Sequence, residues 1–499
     1  MQLLLLALIL GIFLHDGLVA ADAAPRAEAA TLLGVMLLPR LALVAGLWLA
    51  CRLAYRSLGK AGGQRALMRL EHFNGLYRFA ALGLYALDLH LGTLRWLRSV
   101  TGDLVLVDEL ILLAPTLAML VAGWAMYYPI ERRVREAAII GRLDTGRPIY
   151  PLLTRGQYVV SQVRHQMALI LVPLLLILTW AQLVQRYLPA DWRILGHDPE
   201  PVLLIAGAGT VFLLAPLIIR HVWDTAPLPA GELRDRLLAM CARHRVGVRE
   251  LLLWRTFGGM INAAVMGLVP RLRYILLTDA LLEMVRREQV EAVMAHELAH
   301  VRRHHMFWLL AAALGSLGVL ELGYLLLFSA IAGVLPEPGS QAPMIVQAGW
   351  LGELGVMLAW LASPQAVLGV TVGAAVVTWI GVFGWVSRRI ERQADTFAVQ
   401  HLAGERPEPA RNAAGHVLVD AESVQTMVAA LQAVADLNHI PPGRRSWRHG
   451  SIAWRQRYLR RLVGQRVDRL AIDRQMRWIK LASASALLVV AGVYVTVGM

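Results

Sequence analysis

Long apolar runs alternate with short arginine-rich stretches along most of this chain. A bilayer core needs about 20 helical residues to cross. Nine segments meet or approach that length, at 3–20, 31–53, 77–95, 106–128, 166–187, 201–220, 306–332, 366–387 and 480–498. The pattern predicts a mostly α, polytopic helical membrane protein. The first run has no basic stretch before it, so it reads as an uncleaved helix and not as a signal peptide. The third carries Asp88 and His90, which mark either a polar bundle interior or, more simply, an interfacial helix.

The polar stretches orient these runs, because translocating basic loops is disfavoured. Loop 131–165 holds seven arginines against three acids, and 441–480 holds twelve Arg or Lys against two aspartates, which places both in the cytoplasm. With the N-terminus inside, alternation of the nine runs also puts the basic stretch Arg56 to Arg69 on that face. The longest opposite-face loops, 188–200 and 333–365, share one arginine.

Two polar stretches of domain-like size remain, 221–305 and 388–478. They are expected to fold together as one cytoplasmic catalytic domain, split by a membrane pair over 306–387, preceded by an N-terminal membrane region over 1–220 and followed by a C-terminal helix over 479–499. No internal repeat is present, and the Gly/Pro-bearing patches at 195–201 and 404–415 read as loops.

Composition supports the membrane reading: 57% of residues are hydrophobic, 17% are charged and the mean hydropathy is +0.53. The net charge of +14 is almost wholly arginine, since Lys60 and Lys480 are the only lysines. In a membrane protein such excess sits beside acidic headgroups. The basic loops carry no nucleic-acid-binding motif, so nucleic acid is set aside as a partner. The arginine bias resembles that of a GC-rich bacterial genome, which makes the bacterial inner (plasma) membrane the expected location. Cys51 and Cys241, far apart, build neither a disulfide framework nor a CxxC site.

The chemistry concentrates in Arg286 to Trp308, a run with no Gly or Pro to interrupt a helix. Val290, Val293, Met294, Leu298 and Val301 recur at helical spacing, so His296 and His300 share a face. Imidazoles at i and i+4 can reach one zinc ion, and Glu297 can take a proton from the water the metal activates. A surface helix with paired histidines is the plain alternative. His304 lies one further turn along the same face and, like Trp308, is expected at the membrane interface; Glu291 reads as a solvated helix residue.

A two-histidine site needs a third protein ligand and one open position. Arg388 to Val399 supplies Glu391, just after an apolar run and on the required side, with Asp395 one turn later, where it can accept a hydrogen bond from a ligand imidazole. The alternative is a solvated acidic face, or a charge cluster of Glu391 with Arg388 or Arg392. A shared metal also constrains topology: Met344 to Ala362, apolar apart from Glu353, must be interfacial or re-entrant, since crossing would part His300 from Glu391.

HELAH followed by ERQAD resembles the HtpX and CAAX prenyl protease family of membrane gluzincins. The resemblance implies a zincin-like α+β catalytic domain with a short β-hairpin or small sheet beside the HExxH helix. It implies one zinc per chain held by His296, His300 and Glu391, with Glu297 as catalytic base. Met260 to Leu282 is similar to the family's strand, Gly-bearing turn, second strand and helix, which implies that Asn262 and Ala263 line the substrate cleft. An exposed strand edge suits that role by strand addition. Arg448 to Leu462 resembles the segment whose histidine stabilises the oxyanion; His449 fits, although Gly450 replaces the usual proline. The resemblance covers roughly residues 230–465, and the preceding helices are more like the larger prenyl-protease architecture.

The leading expectation is a zinc endopeptidase at the cytoplasmic membrane surface, acting on peptides or membrane-associated proteins in quality control. CAAX-type prenyl-peptide processing is the narrower alternative. A metallopeptidase-fold sensor that cuts one dedicated regulator is another, although Glu297 would be superfluous in a purely binding protein. A transporter would rest only on Asp88 and His90. No segment specifies an oligomeric state.

Overall fold

A computed structural model describes residues 4–5, 7–9, 11–12, 27–58, 63–144, 149–189, 191–194, 198–332 and 364–497. The chain divides into two compact units. The first comprises Met1–Pro227, Arg249–Gly259 and Met266–Tyr274, and the second Leu228–Val248, Met260–Val265 and Ile275–Met499.

In the first unit, helices α1 (Ala29–Ser57), α2 (Gly63–Leu91), α3 (Thr93–Thr101) and α4 (Val107–Asp144) pack together. The run expected at 77–95 is displaced: α2 begins at Gly63, because nothing between 64 and 76 except Gly75 disfavours a helix, and stops at Gly92, whose φ of 84° is left-handed. Asp88 lies in the bundle interior, so the interfacial reading was wrong. Its carboxylate receives Arg40 Nη2 at 2.5 Å, while the same guanidinium donates to Met36 O (2.7 Å) and Thr116 Oγ1 (3.2 Å). One buried ion pair thereby ties α1, α2 and α4.

Helices α5 (Arg155–Gln162) and α6 (Leu169–Tyr187) are joined through a π-helical turn over Val163–Ala168, and α7 (Glu200–Val222) packs on α6. His165 in that turn accepts from Trp254 Nε1 at 3.0 Å, and Trp254 stacks on Trp223 with ring centroids 4.1 Å apart. Strand β1 (Thr225–Pro227) pairs antiparallel with β2 (Glu250–Trp254), Thr225 opposite Trp254.

In the second unit, α8 (Glu232–Arg243) precedes the neighbouring strands β3 (Ala263–Met266) and β4 (Tyr274–Thr278), with β3 at the end of the strand order. Gly267, with φ of 103°, turns between them. All five residues of β4 are buried. Then come α9 (Asp279–Met284), α10 (Arg287–Arg302), α11 (His305–Ala332), α12 (Pro364–Gly404), α13 (Ala421–Leu437), α14 (Ile452–Arg460) and α15 (Ala471–Val497). The hydroxyls of Thr278 and Ser451 and the carboxylate of Asp420 cap α9, α14 and α13 by accepting from backbone N–H groups.

The helix expected across 286–308 is broken. Arg302 ends α10, His304 turns left-handed at φ 54°, and α11 restarts at His305. The turn is built without the usual glycine. It takes His304 off the face of His296 and His300.

Among the described residues, six helices are long and apolar enough to cross a membrane: Ala29–Ser57, Val107–Ala137, Arg155–Tyr187, Glu200–Val222, His305–Leu326 and Ala471–Thr496. The run at 366–387 forms the first part of α12, and α2 is not among the six. Most of the expected helix at 3–20, and the whole of 344–362, lie outside the described residues. The chain is an integral membrane protein.

Candidate metal centre

Helix α10 lies against α12 through small side chains. Ala295, Ala299, Ala394 and Ala398 are fully buried, and Ala299 and Ala394 form a core cluster with Phe397. Alanine contacts let two helices approach closely. The polar residues one turn away therefore meet: ligand atoms of His296, His300 and Glu391 all lie within 4.8 Å of one another. His300 Nε2 is 3.3 Å from His296 Nε2, which is 3.6 Å from Glu391 Oε2.

The remaining atoms of these residues are also engaged. His296 Nδ1 faces Asp395 Oδ1 at 2.9 Å. Arg455, on the second turn of α14, donates Nε to Asp395 Oδ2 (2.7 Å) and Nη2 to Oδ1 (2.5 Å), and its Nη1 lies 3.4 Å from Glu391 Oε2. His449 Nδ1 is 2.9 Å from Glu391 Oε1. With the proton on Nδ1, facing the Asp395 carboxylate as acceptor, His296 presents a lone pair at Nε2 toward a second imidazole nitrogen and a carboxylate oxygen. Such an inward arrangement of donor atoms fits a divalent cation, and two nitrogens with one oxygen suit zinc.

Burial alone would raise both carboxyls, but the surrounding cations reverse it. Glu391 is held below its ordinary range by His449, Arg455 and His296, and Asp395 by Arg455 and His296. Burial pushes His300 down to about 4, with His296 adding to the effect. Burial would likewise lower His296, but Asp395 lifts it above its ordinary value. Glu297, next to His296 on α10, retains some exposure and is pushed up to about 7 by burial against the opposing pull of His296. A carboxylate poised near neutrality can both take and return a proton.

The sequence model of Peptidase family M48 matches residues 244–439. That segment is a family M48 peptidase domain. It contains both HELAH and ERQAD, and it makes the chain a membrane metallopeptidase. No curated protein matches. Among solved structures, Ste24p of S. mikatae aligns with a TM-score of 0.42 at 13% identity, over 88% of this chain and 100% of that one.

Other residues expected from the sequence to serve the site fall as follows. Asn262 is exposed and Ala263 buried at the start of β3; Asn262 N donates to Thr278 Oγ1 (3.0 Å), and its carbonyl accepts from Thr278 N (3.1 Å). Gly450 stands in a left-handed conformation with φ of 73°, which proline cannot adopt, so the turn after His449 departs from the His-Pro pattern. Glu291 is not a free solvated residue: Arg236 Nη2 lies 2.7 Å from it. His305, the residue after His304, is buried, with Nδ1 3.1 Å from His300 Nδ1.

Two residues at the centre escaped the sequence reading. Arg455 is one of twelve cations in 441–480, a bias that by itself speaks only to topology; the signal that points to it is Asp395, a buried acid that needs a countercharge. His305 reaches the centre because α10 stops at Arg302 and the chain turns at His304.

Proposed function

We propose that this M48 peptidase is a zinc endopeptidase whose single metal is held by His296, His300 and Glu391, with Glu297 as general base. The observation carrying this reading is the convergence of those three ligand groups on one point, on the helix that also carries the part-exposed Glu297. A zinc ion held there would supply Lewis acidity toward the attacking water and the scissile carbonyl. Glu297 takes the proton of the attacking water and returns it to the leaving amine, a task its raised pKa suits.

Asp395, charge-balanced by Arg455, holds His296 in the tautomer that leaves Nε2 free. His449, half exposed beside Glu391, is placed to donate to the developing oxyanion. Strand β3, last in the strand order and preceded by Asn262, offers from Ala263 an edge for an extended peptide. The basic loops support a site on the cytoplasmic face, and the arginine bias supports a bacterial inner membrane, with membrane-associated or damaged proteins as the substrates of this reading.

The test is to purify wild type and Glu297→Gln in detergent, measure zinc in both, and challenge them with casein and with a prenylated peptide. Zinc is expected at one per chain in each, with cleavage lowered about 10²–10⁴-fold in the variant. Equal cleavage by the variant rejects the mechanism. Cleavage confined to the prenylated peptide replaces quality control with prenyl-peptide processing.

A further inference from the structure

The two ligand imidazoles are supported in different ways. His296 rests its Nδ1 on a carboxylate, whereas His300 rests its Nδ1 on a second imidazole, that of His305. From His305 a line of contacts continues: Nε2 lies 3.0 Å from Gln393 Oε1, and Gln393 Nε2 donates to Asp473 Oδ1 at 2.6 Å. Asp473 stands in the first turn of α15. Its other oxygen accepts from Gln400 Nε2 at 3.3 Å, and Arg303 Nη2 lies 3.6 Å away.

The direction of each hydrogen bond follows from its far end. A carboxylate only accepts, so Asp473 obliges Gln393 to face it with the amide NH₂ and to present the carbonyl to His305. His305 must then donate from Nε2. A neutral imidazole has one N–H, so His305 Nδ1 is an acceptor and His300 Nδ1 is the donor. His300 is left with its lone pair on Nε2, the atom 3.3 Å from His296 Nε2. The left-handed residue His304 makes this possible, since a continued α10 would have carried His305 round to another face.

We infer that His305 is a positioning residue for the metal site: the line His305–Gln393–Asp473 fixes His300 in its metal-binding tautomer and orientation, with the polarity set by a carboxylate on the C-terminal helix. The inference rests on the zinc reading above. It gives α15 a role beyond anchoring, because the first turn of that helix decides which nitrogen of a ligand carries the proton.

The experiment uses the full-length chain in lipid nanodiscs, with zinc affinity read by chelator competition and ligand geometry by the visible spectrum of the cobalt-substituted protein. His305→Leu is expected to lower zinc affinity about 10–100-fold and to alter the cobalt bands. KM should stay unchanged once zinc is saturating. Asp473→Asn, which removes the acceptor-only end, should move affinity and spectrum the same way by less. His305→Asn, whose side-chain oxygen can still accept from His300, should recover part of the loss.

Wild-type affinity and spectrum in Asp473→Asn and in folded His305→Leu, with zinc lost in His300→Ala, would overturn the inference while sparing the zinc reading. Wild-type affinity in His300→Ala as well would remove both. Should His305→Leu not fold, Asp473→Asn and His305→Asn decide alone.

Discussion

Two buried arginine–aspartate pairs, one in each unit, use the same chemistry to different ends. In the first unit, Arg40 meets Asp88 among apolar helices, and its other contacts are Thr116 and a carbonyl of its own helix. In the second, Arg455 grips Asp395 with two nitrogens, and Asp395 passes the interaction on to His296. The first pair is a closed knot that holds helices in register. The second is open: its carboxylate fixes a ligand, and the free nitrogen of that ligand faces other donor atoms. A buried charge pair alone is weak evidence of function; the distinguishing sign is donor atoms left facing one another beyond it.

Breaking the open pair should have the larger effect. Arg455→Met strands Asp395 as an unpaired buried charge and loosens Glu391, so unfolding stability should fall by about 3–5 kcal/mol. Zinc should be lost with it. Thermal unfolding and metal analysis of the purified protein check both, and a stable variant that keeps its zinc would show the second pair to be as closed as the first.

A smaller effect sharpens the electrostatic side of the comparison. Glu297 titrates at about 7 in the folded chain against an ordinary 4.5. Between those values the folded state binds the proton more readily than the unfolded state, so its stabilising contribution is complete below about pH 4.5 and is lost as pH rises through about 7. Metal-stripped wild type should therefore lose more stability than metal-stripped Glu297→Gln between about pH 5 and pH 8, by on the order of 1–3 kcal/mol. Parallel curves for the two proteins would remove the raised carboxyl from the account.

The smallest effect is expected at the closed pair. Replacing both partners, Arg40→Met with Asp88→Leu, exchanges a buried ion pair for apolar packing, which is commonly neutral or mildly stabilising. Zinc content and peptide cleavage should match wild type. Loss of zinc in that double variant would mean that the first pair also serves the metal.

Much of the centre could be read from spacing, because helical periodicity turns i and i+4 into neighbours: His296 with His300, and Glu391 with Asp395. What spacing leaves out is where a helix stops. The run after His300 contains no breaker, yet His304 takes a left-handed turn, and the residue brought to the ligand is His305. Partners distant in sequence were hidden for another reason. Arg40, nine residues into a span, and Arg455, within a basic stretch, each have an ordinary explanation in membrane anchoring or topology. Only the buried acid opposite shows what the guanidinium does.

The central assignment is a single zinc ion shared by α10 and α12, and X-ray absorption at the zinc edge of the purified protein measures that shell directly. Wild type should show two imidazole nitrogens and carboxylate oxygen at bonding distance, with one imidazole missing in His300→Ala and the carboxylate missing in Glu391→Ala. A wild-type spectrum from Glu391→Ala, with zinc still at one per chain, would contradict it.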